Sequence, residues 1–480
     1  MPVPFRITDI RLYERGVRMR LPFRFGVVTL TACPQAFARV RIATADGREA
    51  EGASAELLAP KWFDKNLALS NEDNFEQLRS SLRLAREAYL GPAAALDAFG
   101  HFAAHYQPQI DAAARQDLNP LIACFGPALI DKALLDALCR AQGLPFHEAL
   151  RRNLPGVDAR LTSDLAGFDI NAFLASLAPA PAIALRHTVG LLDPITGADI
   201  AQRLDDGLPE SLQDVVAATG CRHFKLKVAG EAAADIARLT RIAQVLDTLP
   251  DYQVTLDGNE QFADAASAAA FWQQVEGTPA LRRLAQATLY IEQPLPRAIA
   301  LASDVHALAA MRPVLIDESD ATLDAFPRAL ACGYTGVSSK ACKGLYRSIL
   351  NAARCRQRNE QARREGRAPV CFMSAEDLTT QAGLAVQQDL ALVSLLGLTH
   401  VERNGHHYVD GFGSAPAAEA QAFAAAHADL YQPPSRPRLH IQAGQLSLRS
   451  LQAAAGFATA VHPQWDTLQP MAGGGTPAAA

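Results

Sequence analysis

From residue 187 onward the chain repeats one pattern: a short apolar segment typical of a buried strand, then a stretch whose apolar residues recur at helical spacing. Eight such segments lie at residues 187–191, 223–228, 253–256, 288–292, 313–316, 336–339, 370–373 and 399–402. Strands that alternate with helices pair in parallel, and eight such units close into a barrel whose active site lies at the carboxyl ends of the strands. The repeat therefore predicts an α/β protein with a modified TIM (β/α) barrel over residues 186–430.

The first 155 residues follow a different pattern and predict a separate α+β domain. Residues 7–13 and 37–44 alternate as strands do, whereas residues 72–90 and 129–142 carry apolar positions at helical spacing. An Ala/Pro-rich stretch without a clear period, 156–185, is interpreted as an insertion or connector. Residues 431–470 are expected to pack back on the amino-terminal domain. Residues 471–480 offer few side chains for a core and are expected to be disordered.

Composition narrows the class of protein. Hydrophobic residues make up 49% of the 480 residues, enough for a large core, and the formal charge of −5 is spread along the chain. No basic cluster suits nucleic acid or an anionic membrane, and no apolar run is long enough to span a bilayer. The eight scattered cysteines are interpreted as free thiols. We expect a cytoplasmic homo-oligomer with neither nucleic acid nor membrane as partner.

Charged residues follow five consecutive predicted strands, 23 to 35 residues apart from one strand to the next. They are Lys225 and Lys227, then Asp257, Glu292, Asp317 and finally Lys340. A single carboxylate after a strand is more often a helix cap than a ligand. Three together in a partly buried barrel mouth repel one another and need a cation. Ligation by oxygen alone favours Mg²⁺, with Mn²⁺ able to substitute.

The lysines indicate the reaction. A proton next to a carboxylate is weakly acidic, and its removal requires a preorganised cation that stabilises the charge developing on the carboxylate oxygens. A lysine can act as the base if burial and a neighbouring ammonium lower its pKa. Lys225 and Lys227 alternate along one strand and share a side, whereas Lys340 lies four strands away. The alternatives are a solvated pair for the first two lysines and a structural ion pair for Lys340.

These motifs resemble the enolase superfamily, in particular its muconate-lactonizing-enzyme-like subgroup. That subgroup carries Lys-x-Lys on the second barrel strand, Asp, Glu and Asp metal ligands on the third to fifth, and Lys on the sixth. The resemblance implies that Asp257, Glu292 and Asp317 bind the metal. It also implies that Lys227 and Lys340 are the acid/base pair and that Lys225 is an electrostatic partner of the substrate carboxylate.

The resemblance extends to the amino-terminal domain, which is similar to the family's capping domain. Residues 21–26 and 52–56 match the mobile loops that close over the barrel, and residues 133–137 match the helix that precedes it. Within or near these loops, and at the remaining strand ends, we expect residues that contact a small-molecule carboxylate substrate. They are Arg24, Lys61, Trp62, Asn259, Ser374, Glu376 and Glu402.

The sequence also departs from related subgroups. No His stands at the seventh strand end, 371–374, so a His/Asp dyad like that of mandelate racemase is not supported. The eighth strand end, 401–404, lacks the Asp-x-Asp of dipeptide epimerases, and Lys343-Gly344 offers one Gly where relatives often have two. These differences leave the carboxylate substrate open.

The expected activity is Mg²⁺-dependent removal of a proton α to a carboxylate through a metal-stabilised enediolate, by a racemase, epimerase or cycloisomerase. An o-succinylbenzoate-synthase-like dehydratase is the alternative. Two remoter alternatives are a Schiff-base aldolase, which would leave the three carboxylates unexplained, and a non-catalytic barrel, which would be expected to have lost a ligand or a lysine.

Overall fold

Two units make up the computed structural model, which describes residues 1–91, 95–432 and 436–473: an antiparallel sheet with helices near the amino terminus, and a closed parallel barrel. The amino-terminal elements run in the order β1 Phe5–Phe25, β2 Val28–Thr44, β3 Glu49–Leu57, α1 Asn71–Tyr89, α2 Ala98–Ala114, α3 Pro120–Gln142, α4 Phe146–Arg151 and α5 Ile170–Ser176. The predicted α/β class, with a barrel and an amino-terminal α+β domain, is confirmed.

A long hairpin dominates the amino-terminal sheet. β1 pairs with β2, and β2 pairs with β3, all antiparallel. Helix α3 packs on β3 so closely that a side chain at Gly52 would place its Cβ 2.1 Å from the Ala133 carbonyl oxygen. Residues 52–56, which we expected in a mobile loop, are therefore part of a buried strand, because the approach of α3 fixes them.

The barrel strands carry the sequence repeat. They are β4 Ala182–Val189, β5 His223–Lys227, β6 Gln253–Asp257, β7 Thr288–Glu292, β8 Val314–Ile316, β9 Gly336–Ser339, β10 Phe372–Ala375 and β11 His400–Arg403. Each pairs in parallel with the next, and β11 pairs with β4, which closes the barrel. The first strand begins at Ala182 rather than at residue 187, so four residues of the predicted connector belong to it.

Helices lie between these strands and after the last of them. They are α6 Leu212–Thr219, α7 Ala232–Leu246, α8 Ala265–Gly277, α9 Arg282–Ala287, α10 Arg297–Ala300, α11 His306–Met311, α12 Ala325–Ala331, α13 Leu345–Arg364, α14 Leu384–Leu395, α15 Gly405–Tyr408 and α16 Ala417–Ala426. Short 3₁₀ turns lie at Ser163–Leu165, Gly197–Asp199, Pro279–Leu281, Ala341–Lys343 and Trp465–Thr467. None of the helices in the described part of the chain is long and apolar enough to cross a membrane. All eight cysteines are free thiols.

The last elements contact both units. They are β12 Tyr431–Gln432, β13 Arg438–Leu439, β14 Gln445–Ser447, α17 Arg449–Ala453 and β15 Gln469–Pro470. β14 pairs with β4 of the barrel and β15 pairs with β1 of the amino-terminal sheet. Met471 is buried and its backbone N–H donates to the Leu12 carbonyl. The rest of the predicted disordered tail, 474–480, lies outside the described residues.

Three histidines pack together between β4 and α15. The ring of His187 lies 5.5 Å from that of His406 and 4.9 Å from that of His407. Both ring nitrogens of His406 are buried without a hydrogen-bond partner. Burial lowers the pKa of His406 to about 4, below the ordinary value of about 6.5 in an unfolded chain. Protonation of this ring therefore favours the unfolded state.

We expect acid to destabilise the protein through His406. Stability that is present above pH 6.5 should be lost as the pH falls toward 4, by up to about 1.4 kcal/mol per pH unit. Thermal unfolding followed from pH 7.5 to 4.5 should show a shallower fall of Tm in His406→Gln than in the wild type. His306→Gln, which changes an exposed ring, is the matched control. Equal slopes in all three proteins would contradict the assignment.

Candidate active site

Strand register brings the charged residues together at one end of the barrel. Lys227 pairs with Asp257 across β5 and β6, and Asp257 pairs with Glu292 across β6 and β7. Asp317 and Lys340 directly follow β8 and β9. All five side chains are buried. Because β5 and β9 are four strands apart in an eight-stranded barrel, Lys227 and Lys340 lie on opposite sides of the group.

Lys225 lies at the centre of the carboxylates. Its Nζ is 2.9 Å from Asp257 Oδ2, 2.9 Å from Glu292 Oε1, 2.7 Å from Glu376 Oε2 and 3.0 Å from Glu402 Oε2. Burial alone would lower the pKa of Lys225, but the four carboxylates outweigh it and raise this pKa well above its usual value. The lysine is thus held as an ammonium.

The other two lysines each contact one predicted metal ligand. Lys227 Nζ donates to Asp257 Oδ2 at 2.5 Å, and Lys340 Nζ donates to Asp317 Oδ2 at 2.7 Å. The Trp62 ring covers Lys340, with 4.2 Å from Nζ to the ring centroid. Burial opposes the charge of Lys340, yet Asp317 raises its pKa. We expected lowered lysine pKa values. For Lys340, one of the two acid/base lysines, this expectation is wrong, because Asp317 outweighs both burial and the charge of Lys225.

The carboxylate of Glu292 indicates whether the site suits a cation. Its Oε2 is buried and has no hydrogen-bond partner. Burial, followed by the charges of Asp257 and Glu376, raises the pKa of Glu292 well above its usual value, although Lys225 opposes this. An unpaired carboxylate oxygen among other carboxylates is stabilised by a hard cation. The donor set therefore fits Mg²⁺ in its chemistry.

The side-chain positions are not those of a formed metal centre. Within the described ranges, no three or more His, Cys, Asp or Glu side chains are arranged so that they could hold a metal ion. Asp317 shows the reason, since Lys340, Lys343 and Ser338 all contact its carboxylate oxygens. Cation binding by these residues requires the lysine ammonium groups to move off the carboxylates.

A second buried network lies beneath Lys225. Arg186 on β4 pairs with Glu376 and donates to the Ala375 carbonyl at 2.9 Å. Ser374 and Tyr290 also hydrogen-bond to Glu376 Oε1. Burial raises the pKa of Glu376, but Arg186 and then Lys225 lower it below its usual value, so the carboxylate stays charged. Glu376 thus contacts Lys225 directly, and Ser374 positions Glu376.

Glu402 supports Lys225 from β11. Its Oε1 accepts from the Thr188 hydroxyl at 2.6 Å, and its Oε2 accepts from the Asp377 backbone N–H at 2.8 Å in addition to Lys225. Asn259 follows β6 and donates to Glu318 at 3.2 Å. Glu402 and Asn259, both predicted as substrate contacts, therefore lie beside the charged residues of the site.

Two predicted substrate contacts lie elsewhere. The Arg24 guanidinium donates to Thr29 within the β1–β2 hairpin at 3.0 Å. Lys61 Nζ donates to the Asn66 and Leu69 carbonyls of its own loop, at 2.8 and 2.5 Å. Neither side chain is brought to the lysines and carboxylates, whereas Trp62, the neighbour of Lys61, is.

An ion-pair cluster fastens the loop that carries Trp62, residues 58–70, to the barrel. The Arg297 guanidinium donates to the Trp62 carbonyl at 2.7 Å and to the Phe63 carbonyl at 2.8 Å. It also pairs with Glu260 at 2.8 Å, and Lys65 pairs with the same carboxylate at 2.6 Å. We call Arg297, Glu260 and Lys65 the loop anchor. It fixes the aromatic ring above Lys340.

Apolar and charged residues meet in a narrow space above the lysines. The cavity that they enclose has a volume of about 20 Å³. It is lined by Phe23, Phe25, Leu30, Ala59, Trp62, Lys225, Lys227, Asn259, Lys340, Asp377, Leu378, Thr379, Glu402 and Asn404. A single buried water needs about 10 to 15 Å³, so the loops must open before a substrate enters.

Comparison with known protein families gives a match to part of the chain, within the barrel. Residues 207–395 match the family described as Enolase C-terminal domain-like. No curated protein sequence matches the chain.

Solved structures with the same fold include three enolase-superfamily proteins. An enolase from Bradyrhizobium, complexed with magnesium and mandelic acid, is 17% identical over 98% of this chain and 100% of its own, with a TM-score of 0.59. A mandelate racemase/muconate lactonizing protein from Herpetosiphon aurantiacus is 16% identical over 94% and 97%, with a TM-score of 0.57. A dipeptide epimerase from Cytophaga hutchinsonii, complexed with Mg and D-Ala-L-Val, is 16% identical over 85% and 88%, with a TM-score of 0.54. Residues 207–395 thus belong to the Enolase C-terminal domain-like family, and the chain as a whole has the fold of enolase-superfamily proteins of the mandelate racemase/muconate lactonizing type.

Proposed function

We propose that the protein removes a proton from the carbon next to a substrate carboxylate in a Mg²⁺-dependent reaction, as a racemase, epimerase or cycloisomerase. One observation carries the proposal: two buried lysines from opposite strands, β5 and β9, flank carboxylates from the three strands between them. Such a pair can reach both faces of one substrate carbon. The complexes of similar proteins with magnesium and mandelic acid or a dipeptide agree with it.

Asp257, Glu292 and Asp317 would hold the Mg²⁺ ion, or Mn²⁺ in its place. When bound, the cation supplies stabilisation of the negative charge that develops on the substrate carboxylate as the proton leaves. Lys225, kept charged by Glu376 and Glu402, would pair with the same carboxylate. Its charge adds to that stabilisation in a buried site, where electrostatic interactions are strong.

Lys227 and Lys340 would move the proton. An amine at Nζ of one lysine accepts the α-proton, and an ammonium at Nζ of the other returns a proton to the opposite face. In the structure the two amino groups pair with Asp257 and Asp317, and cation binding to these carboxylates would release them to face the substrate. Trp62 excludes water from the side of Lys340, which protects a carbanion-like species from solvent protons.

The contact of Trp62 with Lys340 favours a second candidate, an o-succinylbenzoate-synthase-like dehydratase. An aromatic face stabilises an ammonium rather than a neutral amine. Lys340 would then stay charged and act electrostatically, and Lys227 would serve as the only base. Face-specific exchange distinguishes this one-base reaction from racemisation. A Schiff-base aldolase needs a neutral nucleophilic amine, which the carboxylates around Lys225 oppose.

Incubation with a library of carboxylates in D₂O tests the proposal. With Mg²⁺ present, we expect at least one acid to gain one mass unit at its α-carbon, and we expect EDTA to stop the gain. Product analysis of the same acid by chiral chromatography and mass then separates racemisation, cyclisation and loss of water. If no library member exchanged with Mg²⁺ or Mn²⁺, the proposed proton abstraction would have to be abandoned. The cytoplasmic location and the homo-oligomer stay predictions.

Replacement of Trp62 should weaken substrate binding more than the chemical step. Trp62→Ala removes the ring above Lys340 and one wall of the site, and we expect KM to rise at least about 10-fold, because even one lost methylene contact in a hydrophobic pocket is worth roughly 1 to 3 kcal/mol. Trp62→Phe keeps an aromatic face and should restore most of the loss. Steady-state kinetics on an acid found by exchange gives both constants. An unchanged KM in Trp62→Ala would show that the ring does not border the bound substrate.

A further inference from the structure

Among the residues that the structure describes, the amino-terminal domain contributes only apolar side chains to the wall of the site that faces the lysines. That domain lines the space with Phe23, Phe25, Leu30, Ala59 and Trp62, and all five side chains are buried. Phe23 and Phe25 lie with ring centroids 4.9 Å apart, and Phe23 stacks on Tyr408 at 4.1 Å. The wall is therefore a packed aromatic and aliphatic surface.

The cationic side chains near this wall form hydrogen bonds or ion pairs with groups outside the space. Arg24 donates to Thr29, Lys61 donates to carbonyls of its own loop, and Lys65 pairs with Glu260. None of the three lines the space. A second anionic group on a substrate would thus meet no counter-ion from the described part of the amino-terminal domain.

Apart from the three lysines that take the reacting carboxylate, the barrel residues around the space are equally unsuited to a second anion. Leu378 is apolar, and Asp377 is a carboxylate whose oxygens accept from the Leu378, Thr380 and Asn404 backbone N–H groups. Asn259 and Asn404 each present a buried side-chain oxygen without a hydrogen-bond partner. These oxygens suit an O–H or N–H donor, and they repel an anion.

We propose that the substrate is a monocarboxylate whose remaining part is apolar, a ring or a branched alkyl group, with at most a neutral O–H or N–H donor reaching an asparagine. This rests on the proposed function, because the lysines and the metal ligands take the reacting carboxylate. The apolar part packs against Trp62, Phe25 and Leu30. Burial of a second carboxylate there without a partner is unfavourable.

Binding of three acids of equal shape tests the proposal. In 4-methylpentanoate the far end is an isopropyl group, in succinamate it is an amide, and in succinate it is a second carboxylate. Calorimetry with Mg²⁺ present should give the tightest binding for 4-methylpentanoate and about 100-fold weaker binding for succinate, with succinamate between them. Equal or tighter binding of succinate, or no binding of 4-methylpentanoate, would overturn the proposal.

A change of the wall should reverse the order. Leu30→Lys places an ammonium in the apolar surface and should make succinate the tightest of the three, whereas Leu30→Met keeps the surface and should preserve the wild-type order. Leu30 is only 1% exposed, so Phe25→Lys, at a residue 9% exposed, is the second variant if Leu30→Lys does not fold. An order unchanged by a folded lysine variant would show that the far end of the acid does not touch this wall.

Exchange of the α-proton of the same acids in D₂O distinguishes a failure of the substrate class from a failure of proton abstraction. Binding in the expected order without α-proton exchange in any acid would support the apolar wall and count against proton abstraction. Exchange of succinate faster than of 4-methylpentanoate would support proton abstraction and overturn the substrate class.

Discussion

Lys227→Ala is expected to abolish α-proton exchange from one face of the substrate, with a loss of about 10²- to 10⁴-fold, the usual contribution of a positioned base. Lys340→Ala should do the same for the other face. The physical reason is the barrel itself, because β5 and β9 lie on opposite sides and neither lysine can reach across the substrate plane. Deuterium incorporation into each enantiomer of an exchanging acid, read by mass, measures the two faces separately.

The pattern of losses also decides the type of reaction. In a racemase either alanine variant stops racemisation, while the remaining lysine still exchanges the enantiomer that it faces. In a dehydratase or cycloisomerase one variant loses the chemistry and the other keeps exchange. Lys227→Arg and Lys340→Arg are matched controls that retain the positive charge without a usable base. Equal partial losses on both faces from each single variant would mean that the lysines do not flank the α-carbon.

Glu292→Gln should weaken Mg²⁺ binding by at least about 100-fold. Glutamine keeps the size of the side chain but removes the charge and one strong oxygen ligand, and even residues that only orient a ligand change metal affinity 10- to 100-fold. Calorimetric titration of the metal-free protein with Mg²⁺ gives the affinity directly. A parallel fall in the Mg²⁺-induced rise of Tm should accompany it, because a ligand that binds the folded state stabilises it.

The neighbouring carboxylate provides the matched control. Glu318 is also buried near the site with an unpaired Oε2, but its Oε1 accepts from Asn259, whereas Glu292 Oε1 contacts Lys225. Glu318→Gln should change Mg²⁺ affinity much less than Glu292→Gln. Should the two variants bind Mg²⁺ equally well, or should Glu292→Gln bind as the wild type does, the assignment of Glu292 as a ligand would fail.

The repeat of strands and helices could be predicted from the sequence because it depends on the local spacing of apolar residues. Val254, Leu256 and Ile291 belong to short apolar runs, and the charged residues after them stand where parallel strands end. Barrel closure follows from the number of units. Strand limits were less accurate: β4 starts at Ala182, inside an Ala/Pro-rich stretch that has no strand period.

The partners of the charged residues could not be read from the chain. Arg186 stands one residue before the predicted first strand, and nothing local indicates that it meets Glu376 across the barrel. The contacts of Lys225 with Glu376 and Glu402 join residues 151 and 177 positions apart. Such distances depend on closure of the whole barrel rather than on periodicity. The unpaired oxygen of Asn404 likewise became visible only in the folded chain.

The sequence predicted which loop segment lies near the site, but not the direction in which each of its side chains points. Lys61 and Trp62 are adjacent, yet one turns into its own loop and the other lies over Lys340. The carbonyl groups of Trp62 and Phe63, held by Arg297, set that direction. A sequence pattern identifies the segment near a site, whereas the side chain that enters it depends on backbone contacts that are distant in sequence.

The loop anchor is expected to limit the turnover number. Arg297 holds two carbonyl groups of the 58–70 loop and a buried carboxylate at once, and the closed space beneath has room for little more than a water molecule. Each turnover must therefore break these bonds twice, once to admit the substrate and once to free the product. We expect opening of this loop, and not proton transfer, to set the turnover number. A substrate deuterated at its α-carbon would then have nearly the same kcat, and an increase in solution viscosity would lower kcat.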